Sequence, residues 1–161
     1  MSRRDYTIMA NTYTQIHIHF VFAVKFRDGS INSQWKNTLY KYITGTIHNN
    51  NHKLLAINGT SDHIHILIGL RPSQSISDLM KDVKQSSSKW INENKLVKGH
   101  FEWQEGYGAF SHSKSQINKV IDYIDNQESH HKKLTFKEEY LDFLKKFEVD
   151  YDEKFTFKEL I

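Results

Sequence analysis

The chain has 161 residues, the size of one compact domain, and is long enough to bury a substantial hydrophobic core. It contains no cysteine, which excludes a disulfide framework, a thiolate nucleophile and any cysteine-ligated metal centre. Lys and Arg number 22 against 19 Asp and Glu, so the formal charge of +3 permits a nucleic-acid partner without requiring one.

The first part of the chain predicts three strands and two helices. In chain order these are a strand over 13–25, a helix over 33–49, and strands over 53–57 and 63–70. Alternating apolar residues give each long strand one face that points to a core. Ser75 and Asp78 fit a capping box, which predicts the start of the second helix.

The later part of the chain predicts one strand and two helices. A glycine-bent loop over 101–110 runs into the fourth strand. Capping-box matches at Ser113 and Thr135 predict a continuous helix over about 114–129 and a last helix after Thr135. The acidic, aromatic tail over 149–157 is predicted to pack at an edge.

This order of elements predicts the split β-α-β arrangement of ferredoxin-like domains. We therefore expect an α+β fold: an antiparallel sheet with helices on one face and an additional C-terminal helix that carries a tyrosine. We expect one domain over 1–161, with a flexible N-terminus over 1–12, a catalytic core over 13–132, and a C-terminal helix and tail over 133–161. The fold by itself predicts no activity.

Two histidine pairs have the spacing that places side chains on the same face of a strand. His63 and His65 form one pair on the third strand, and His17 and His19 form the other on the first strand. Adjacent imidazoles can hold one divalent ion. Polar residues on the solvent face of a strand have the same spacing. Spacing alone therefore leaves both interpretations open, and it does not choose between the pairs.

Tyr123 and Gln127 are four residues apart in the predicted helix over 114–129, so their side chains share a face. Helical geometry places Tyr123 at the flank of the apolar stripe, where its hydroxyl can reach a cleft. A tyrosine oxygen activated by a metal or a base is a usable nucleophile. The alternative is an ordinary half-buried tyrosine between a helix and the sheet.

Several basic residues could contact phosphate, and each also has an ordinary structural explanation. His130 and His131 end the predicted tyrosine helix, where they could bind phosphate or complement the negative end of the helix dipole. Lys84 and Lys89 lie on the second helix, for which a solvated face is the alternative.

Together, these motifs resemble a known family. Asp62-His63-Ile64-His65-Ile66-Leu67 resembles the histidine–hydrophobe–histidine motif of the HUH nucleases. Tyr123-Ile124-Asp125-Asn126-Gln127 resembles the single-tyrosine helix of the insertion-sequence-200-like transposases. Further similar segments lie at 18–27, 84–90, 103–110 and 127–139. The resemblance covers about residues 13–157 and rests on the order and spacing of the motifs.

This resemblance implies a transposase-like DNA strand transferase that cleaves and rejoins single-stranded DNA. Tyr123 is implied as the nucleophile that forms a 5′-phosphotyrosine link, with His63, His65 and Gln127 as ligands of Mg²⁺ or Mn²⁺. The implied partners are single-stranded DNA with hairpin-containing element ends and a second copy of the chain. That homodimer would complete its active sites in cis or in trans. Further DNA contacts are expected at His19, Lys25, Arg27, Lys84, Lys89, His130 and His131.

Three other functions stay open from the sequence. One is a catalytically inactive or domesticated module that binds single-stranded nucleic acid on the same fold. The others are a metal-dependent hydrolase of a small phosphoester, which would not need the tyrosine, and an RNA-binding module with stacking aromatics. The sequence has no phosphate-cradling glycine loop. Its apolar stretches are too short to span a bilayer, so we expect a cytoplasmic protein without a membrane partner.

Overall fold

The computed structural model describes residues 12–131 and 133–150. Within these ranges, four strands form one antiparallel sheet in the order β2–β3–β1–β4. The strands are β1 (His17–Ala23), β2 (Lys53–Gly59), β3 (His63–Gly69) and β4 (Gly108–His112). The helices are α1 (Lys36–Asn49), α2 (Ile76–Glu93), α3 (Ile117–Asp125), α4 (Gln127–His131) and α5 (Phe136–Lys146). The predicted α+β class and the ferredoxin-like strand order are confirmed.

One face of the sheet carries the main hydrophobic core. Ile18, Phe20 and Phe22 of β1 alternate with residues that point the other way, because successive side chains of a strand lie on opposite faces. Ile64, Ile66 and Ile68 of β3 extend the same layer. The helices α1 and α2 cover it with Leu39, Ile43, Leu79, Met80 and Val83, all buried. The predicted core faces of the two long strands are therefore confirmed.

The opposite face carries the histidines. In the register of β1 with β3, Val21 lies opposite His65 and Ala23 lies opposite His63. Residues opposite each other in an antiparallel pair point to the same side, so His19 shares a face with both residues of the β3 pair. Strands β1 and β3 are neighbours, and this places the two histidine pairs on one surface.

Helices α3 and α5 cover this second face. Val120 and Ile124 of α3 pack with Leu67, while Phe136 and Leu144 of α5 pack in a cluster with Val21 and Ala23. As a result, His63 and His65 are fully buried. The alternative interpretation of this pair as polar residues on a solvent face is wrong, because the C-terminal helices cover that face.

Two of the three capping-box matches form as predicted. The side-chain oxygen of Ser75 accepts a hydrogen bond from the Asp78 backbone N–H at 3.1 Å, and that of Thr135 accepts from the Glu138 N–H at 3.2 Å. The match of Ser113 with Gln116 is wrong, since Ser113 makes no capping bond.

The predicted continuous helix over 114–129 is interrupted. A 3₁₀ turn covers Lys114–Gln116, α3 ends at Asp125, and α4 begins at Gln127. The side-chain amide of Asn58, on β2, donates to the carbonyl oxygens of Ile124 and Asp125 at 3.0 and 3.1 Å. Carbonyls at a helix end need such partners, and this contact fixes the end of the tyrosine helix against the sheet.

Other boundaries differ by a few residues. Strand β1 is shorter than predicted and β2 extends two residues further, to Gly59. The predictions for 1–12 and for the tail 149–157 fall almost wholly outside the described residues, and the side chain of Arg27 lies outside them too. None of the helices formed by residues 12–131 and 133–150 is long and apolar enough to cross a membrane.

Removing the buried hydroxyl of Ser87 should destabilise the fold. This hydroxyl accepts a hydrogen bond from the indole N–H of Trp103 at 2.9 Å, and both side chains are buried. In Ser87→Ala the indole N–H loses its partner, which should lower the free energy of unfolding by about 1–3 kcal/mol in urea denaturation. Ser88→Ala, next in the chain, is the matched control and should change it by less than about 0.5 kcal/mol. Equal stabilities of the two variants would show that the hydrogen bond between Trp103 and Ser87 does not stabilise the fold.

Candidate functional site

A buried carboxylate lies at the centre of the histidine face. Glu139 of α5 is only 2% exposed. Its Oε1 lies 2.9 Å from Nε2 of His65 and 3.5 Å from Nε2 of His63. Nε2 of His131, at the end of α4, lies 3.2 Å from the same oxygen. Three imidazoles from two elements therefore surround one carboxylate oxygen.

The second oxygen of Glu139 contacts the tyrosine helix and its continuation. The hydroxyl of Tyr123 donates a hydrogen bond to Oε2, and the side-chain amide of Gln127 donates to it at 3.3 Å. The amide oxygen of Gln127 lies 3.2 Å from Nε2 of His63. The predicted nucleophile and the three predicted metal ligands thus meet in one chain, although Tyr123 and Gln127 lie on different helices.

Each histidine of the β3 pair is oriented by a partner on its other nitrogen. Nδ1 of His63 lies 2.6 Å from an oxygen of Asp62 and 2.9 Å from the hydroxyl of Thr60. Nδ1 of His65 lies 2.8 Å from Nε2 of His19. These contacts aim both Nε2 atoms at the same point, which is how partners outside a metal site orient histidine ligands.

The two histidines have opposite pKa shifts. Burial lowers the pKa of His63, but hydrogen bonds to Asp62 and Glu139 outweigh it and raise the pKa to about 9. For His65 burial dominates, and with the repulsion of neighbouring histidines it lowers the pKa to about 4 despite the contact with Glu139. In the metal-free protein, His63 is therefore cationic and His65 neutral at neutral pH.

The carboxylate and the tyrosine also have shifted pKa values. Burial alone would raise the pKa of Glu139, but its contacts with His131, His63 and His65 hold it well below the usual value, so Glu139 is ionised. Burial and the adjacent carboxylate raise the pKa of Tyr123, so its hydroxyl stays protonated in the metal-free protein.

The donor atoms of this cluster fit a divalent metal ion. His63, His65 and His131 each offer a ring nitrogen and Glu139 offers an oxygen, all within 4.8 Å of one another. Imidazole nitrogen and carboxylate oxygen are common ligands of divalent transition metals, and carboxylate oxygen also suits Mg²⁺. The sequence predicted His131 as a DNA contact or as a cation at a helix end, and it gave Glu139 no role.

The other predicted DNA contacts are divided between two places. The ring of His130 stacks on that of Tyr123 with 4.5 Å between centroids, beside the cluster. Lys25, Lys84 and Lys89 line a separate cavity near α2 that shares no residue with the cluster. The structure does not bring these lysines to the histidines, and their contact with DNA stays a prediction.

The amines of Lys25 and Lys84 already have partners within the chain. Lys25 pairs with Glu102 at 2.7 Å. The amine of Lys84 donates to the carbonyl oxygens of Gln104 and Gly106, both at 2.7 Å, and burial lowers its pKa to about 8. Lys84 therefore holds the loop before β4 against α2, a structural role that the helix pattern did not indicate.

Comparison with known protein families gives one match over most of the chain. The family described as "Transposase IS200 like" matches residues 12–127. The ISDra2 transposase TnpA of Deinococcus radiodurans is 23% identical over 119 residues, which cover 70% of this chain and 84% of that protein. The transposase for insertion sequence element IS200 of Salmonella typhimurium is 27% identical over 129 residues, which cover 76% of this chain and 84% of that protein.

Two solved structures share the fold. One is a crystal structure of a protein described as a transposase, from Deinococcus radiodurans R1. It superposes with a TM-score of 0.60 at 22% sequence identity, and the match covers 74% of this chain and 95% of that one. The other is a REP-associated tyrosine transposase bound to a REP hairpin. It superposes with a TM-score of 0.58 at 13% sequence identity, and the match covers 76% of this chain and 73% of that one.

The affinity of the site for Mn²⁺ should rise with pH. A metal ligand must be a neutral imidazole, and the pKa of His63 is raised to about 9, so binding must displace a proton below that pH. Isothermal titration calorimetry without DNA should show affinity rising up to about tenfold per pH unit between pH 7 and 9. Asp62→Asn removes one anion beside His63 and should flatten that rise. An affinity for Mn²⁺ independent of pH would contradict the assignment of His63 as a ligand that loses a proton when the ion binds.

Glu139→Gln should weaken Mn²⁺ binding by about tenfold or more, because it removes the charge that faces three imidazoles. The electron paramagnetic resonance signal of free Mn²⁺ measures this without DNA. The matched control is Glu138→Gln. The side chain of Glu138 is exposed and accepts a hydrogen bond from the Thr135 hydroxyl, so this substitution should leave the affinity for Mn²⁺ unchanged. Tighter binding by Glu139→Gln would mean that the carboxylate competes with the ion for the histidines.

Proposed function

Because the chain belongs to the IS200-like transposase family, we propose that it cleaves and rejoins single-stranded DNA through a covalent bond to Tyr123. One observation carries this proposal. The hydroxyl of Tyr123 and both histidines of the His-x-His pair contact the same buried carboxylate, Glu139, within a single chain. A hydroxyl beside a cluster of metal donors is the arrangement that a tyrosine nucleophile needs.

The proposed cleavage exchanges one phosphoester bond for another. The Tyr123 oxygen forms a bond to phosphorus, and the bond from phosphorus to the 3′ oxygen breaks. The hydroxyl proton passes to water, because the pKa of Glu139 is held too low for its carboxylate to keep a proton, and the departing 3′ oxygen takes a proton from water. Glu139 accepts the hydrogen bond of the Tyr123 hydroxyl and so orients its oxygen. The products are a 5′-phosphotyrosine link and a free 3′-hydroxyl. In rejoining, a 3′-hydroxyl attacks the link and the proton returns to the Tyr123 oxygen.

The energy of the broken bond stays in the link to protein, so the reaction needs no nucleotide hydrolysis. This is consistent with the lack of a phosphate-cradling glycine loop in the sequence. We propose His63, His65 and Gln127 as the residues that hold Mg²⁺ or Mn²⁺, with His131 and Glu139 as neighbouring donors. When bound, the ion polarises the scissile phosphate and stabilises the charge of the transition state.

The proposed substrate is single-stranded DNA with hairpin-containing ends. A related fold has been solved with a REP hairpin, which supports this choice. We also propose that the chain forms a homodimer. The contacts among Tyr123, His63 and Glu139 support active sites that are complete within each chain, since no second copy is needed to bring these groups together.

Wild-type protein mixed with labelled hairpin-containing DNA and Mn²⁺ should form an adduct that survives a denaturing gel. Tyr123→Phe removes the attacking oxygen and should reduce the adduct by more than about a thousandfold, while DNA binding is retained. His63→Ala should also abolish the adduct, because it removes a proposed ligand.

The matched control is Tyr42→Phe, since Tyr42 is stacked on Trp90 at the far side of the sheet and should form the adduct normally. Binding without an adduct would favour an inactive binding module. An adduct that survives Tyr123→Phe would identify another nucleophile, and turnover of a small phosphoester by Tyr123→Phe would favour a hydrolase.

A further inference from the structure

We propose that a cavity beside Tyr123 binds the base of one nucleotide adjoining the phosphate that Tyr123 attacks. This inference rests on the proposed function, because it assigns a place to part of the same DNA strand. The cavity has a volume of about 370 Å³ and lies between the histidine face of the sheet, α3 and α5. Tyr123 and Glu139 form part of its wall, so a nucleotide next to the attacked phosphate is within reach.

The apolar part of the wall suits a flat aromatic ring. Phe143 of α5 lines the cavity and is supported from behind by Phe110, with which it stacks at 5.2 Å between ring centroids. Val120 and Leu134 add aliphatic surface. Stacking on a protein aromatic ring is the general way in which unpaired bases are held, whatever their sequence.

Two imidazoles of the lining carry buried nitrogen atoms that lack a protein partner. Nδ1 of His19 and Nε2 of His112 make no hydrogen bond to any residue in 12–131 or 133–150. His19 is only 1% exposed, and its other nitrogen is taken by His65. A buried polar atom without a partner costs free energy. The edge of a base offers both donors and acceptors, and an imidazole nitrogen can serve as either, so a base that reached these atoms would supply the missing partners.

Apart from the buried Glu139, the lysines and the aspartate of the lining lie at its exposed side. Lys119 and Lys146 line the cavity and are exposed, which places their amines where they can contact the phosphates on either side of a bound base. Asp142 is also exposed there and disfavours entry of a phosphate into the cavity itself. The base is therefore the part of the nucleotide that enters.

Much of this wall comes from beyond the region shared with the family. The match to the family ends at residue 127, whereas Phe143, Asp142 and Lys146 all lie on α5. The cavity thus depends on the same C-terminal helix that brings Glu139 to the histidines.

The test measures DNA binding by fluorescence anisotropy in EDTA, which separates it from cleavage. The probe is a labelled hairpin-containing single strand from the DNA that flanks the gene for this chain, with one abasic site moved along it a nucleotide at a time. We expect one position at which losing the base weakens binding to the wild type by about tenfold. Phe143→Leu should weaken binding of the intact strand similarly and cause no further loss on the strand abasic at that position.

His112→Ala provides a second variant in the lining, on β4, and should show the same coupling. The matched control is Leu141→Ala, because Leu141 lies on α5 in the same apolar cluster but does not line the cavity. It should weaken binding of intact and abasic strands equally, if at all. Thermal unfolding of each variant checks that the fold is retained.

Equal losses by Phe143→Leu on intact and abasic strands, or no sensitive position, would overturn the cavity assignment and leave the proposed reaction standing. If the effects of the abasic site and of Phe143→Leu are coupled at one position, but the wild type forms no covalent adduct on the denaturing gel, the cavity assignment is retained and the proposed reaction is overturned. A wild-type protein that binds none of these strands would overturn both.

Discussion

A carboxylate buried in a protein must be matched by positive or hydrogen-bonding groups, since taking a charge out of water costs free energy. Glu139 meets this requirement with one oxygen facing three imidazoles and the other accepting hydrogen bonds from Tyr123 and Gln127. Because these groups come from β3, α3, α4 and α5, the single carboxylate joins four elements. The geometry of the candidate site depends on this interaction more than on any local motif.

The sheet supplies the fixed frame for that interaction. Strand β3 lies between two neighbours, so the positions of His63 and His65 are determined by backbone pairing on both sides. Asp62 and His19 then set the orientation of the two rings through their second nitrogens. Asn58 of β2 fixes the end of the helix that carries Tyr123. With Tyr123 as the nucleophile that we propose, a hydroxyl and donors held in this way would need little rearrangement before reaction.

The sequence predicted the fold well because its signals are local. Strict alternation over β1 and β3 and the caps at Ser75 and Thr135 determine where elements form, and the order of elements restricts the topology. The break after Asp125 escaped the sequence analysis, because residues 125–131 contain no apolar side chain whose spacing could reveal it. The Asn58 side chain that contacts this helix end lies on β2, more than sixty residues away.

The sequence by itself determined that His63 and His65 share a strand face and that Tyr123 flanks the apolar stripe of its helix, because both follow from the period of one element. Only the tertiary structure decided that this face is buried, that Glu139 and His131 join the pair, and that a cavity lies beside the tyrosine. Glu139 is separated from His65 by 74 residues, and its place depends on how α5 docks on the sheet. No pattern of local spacing contains that information, because docking is set by the packing of residues distant in the chain.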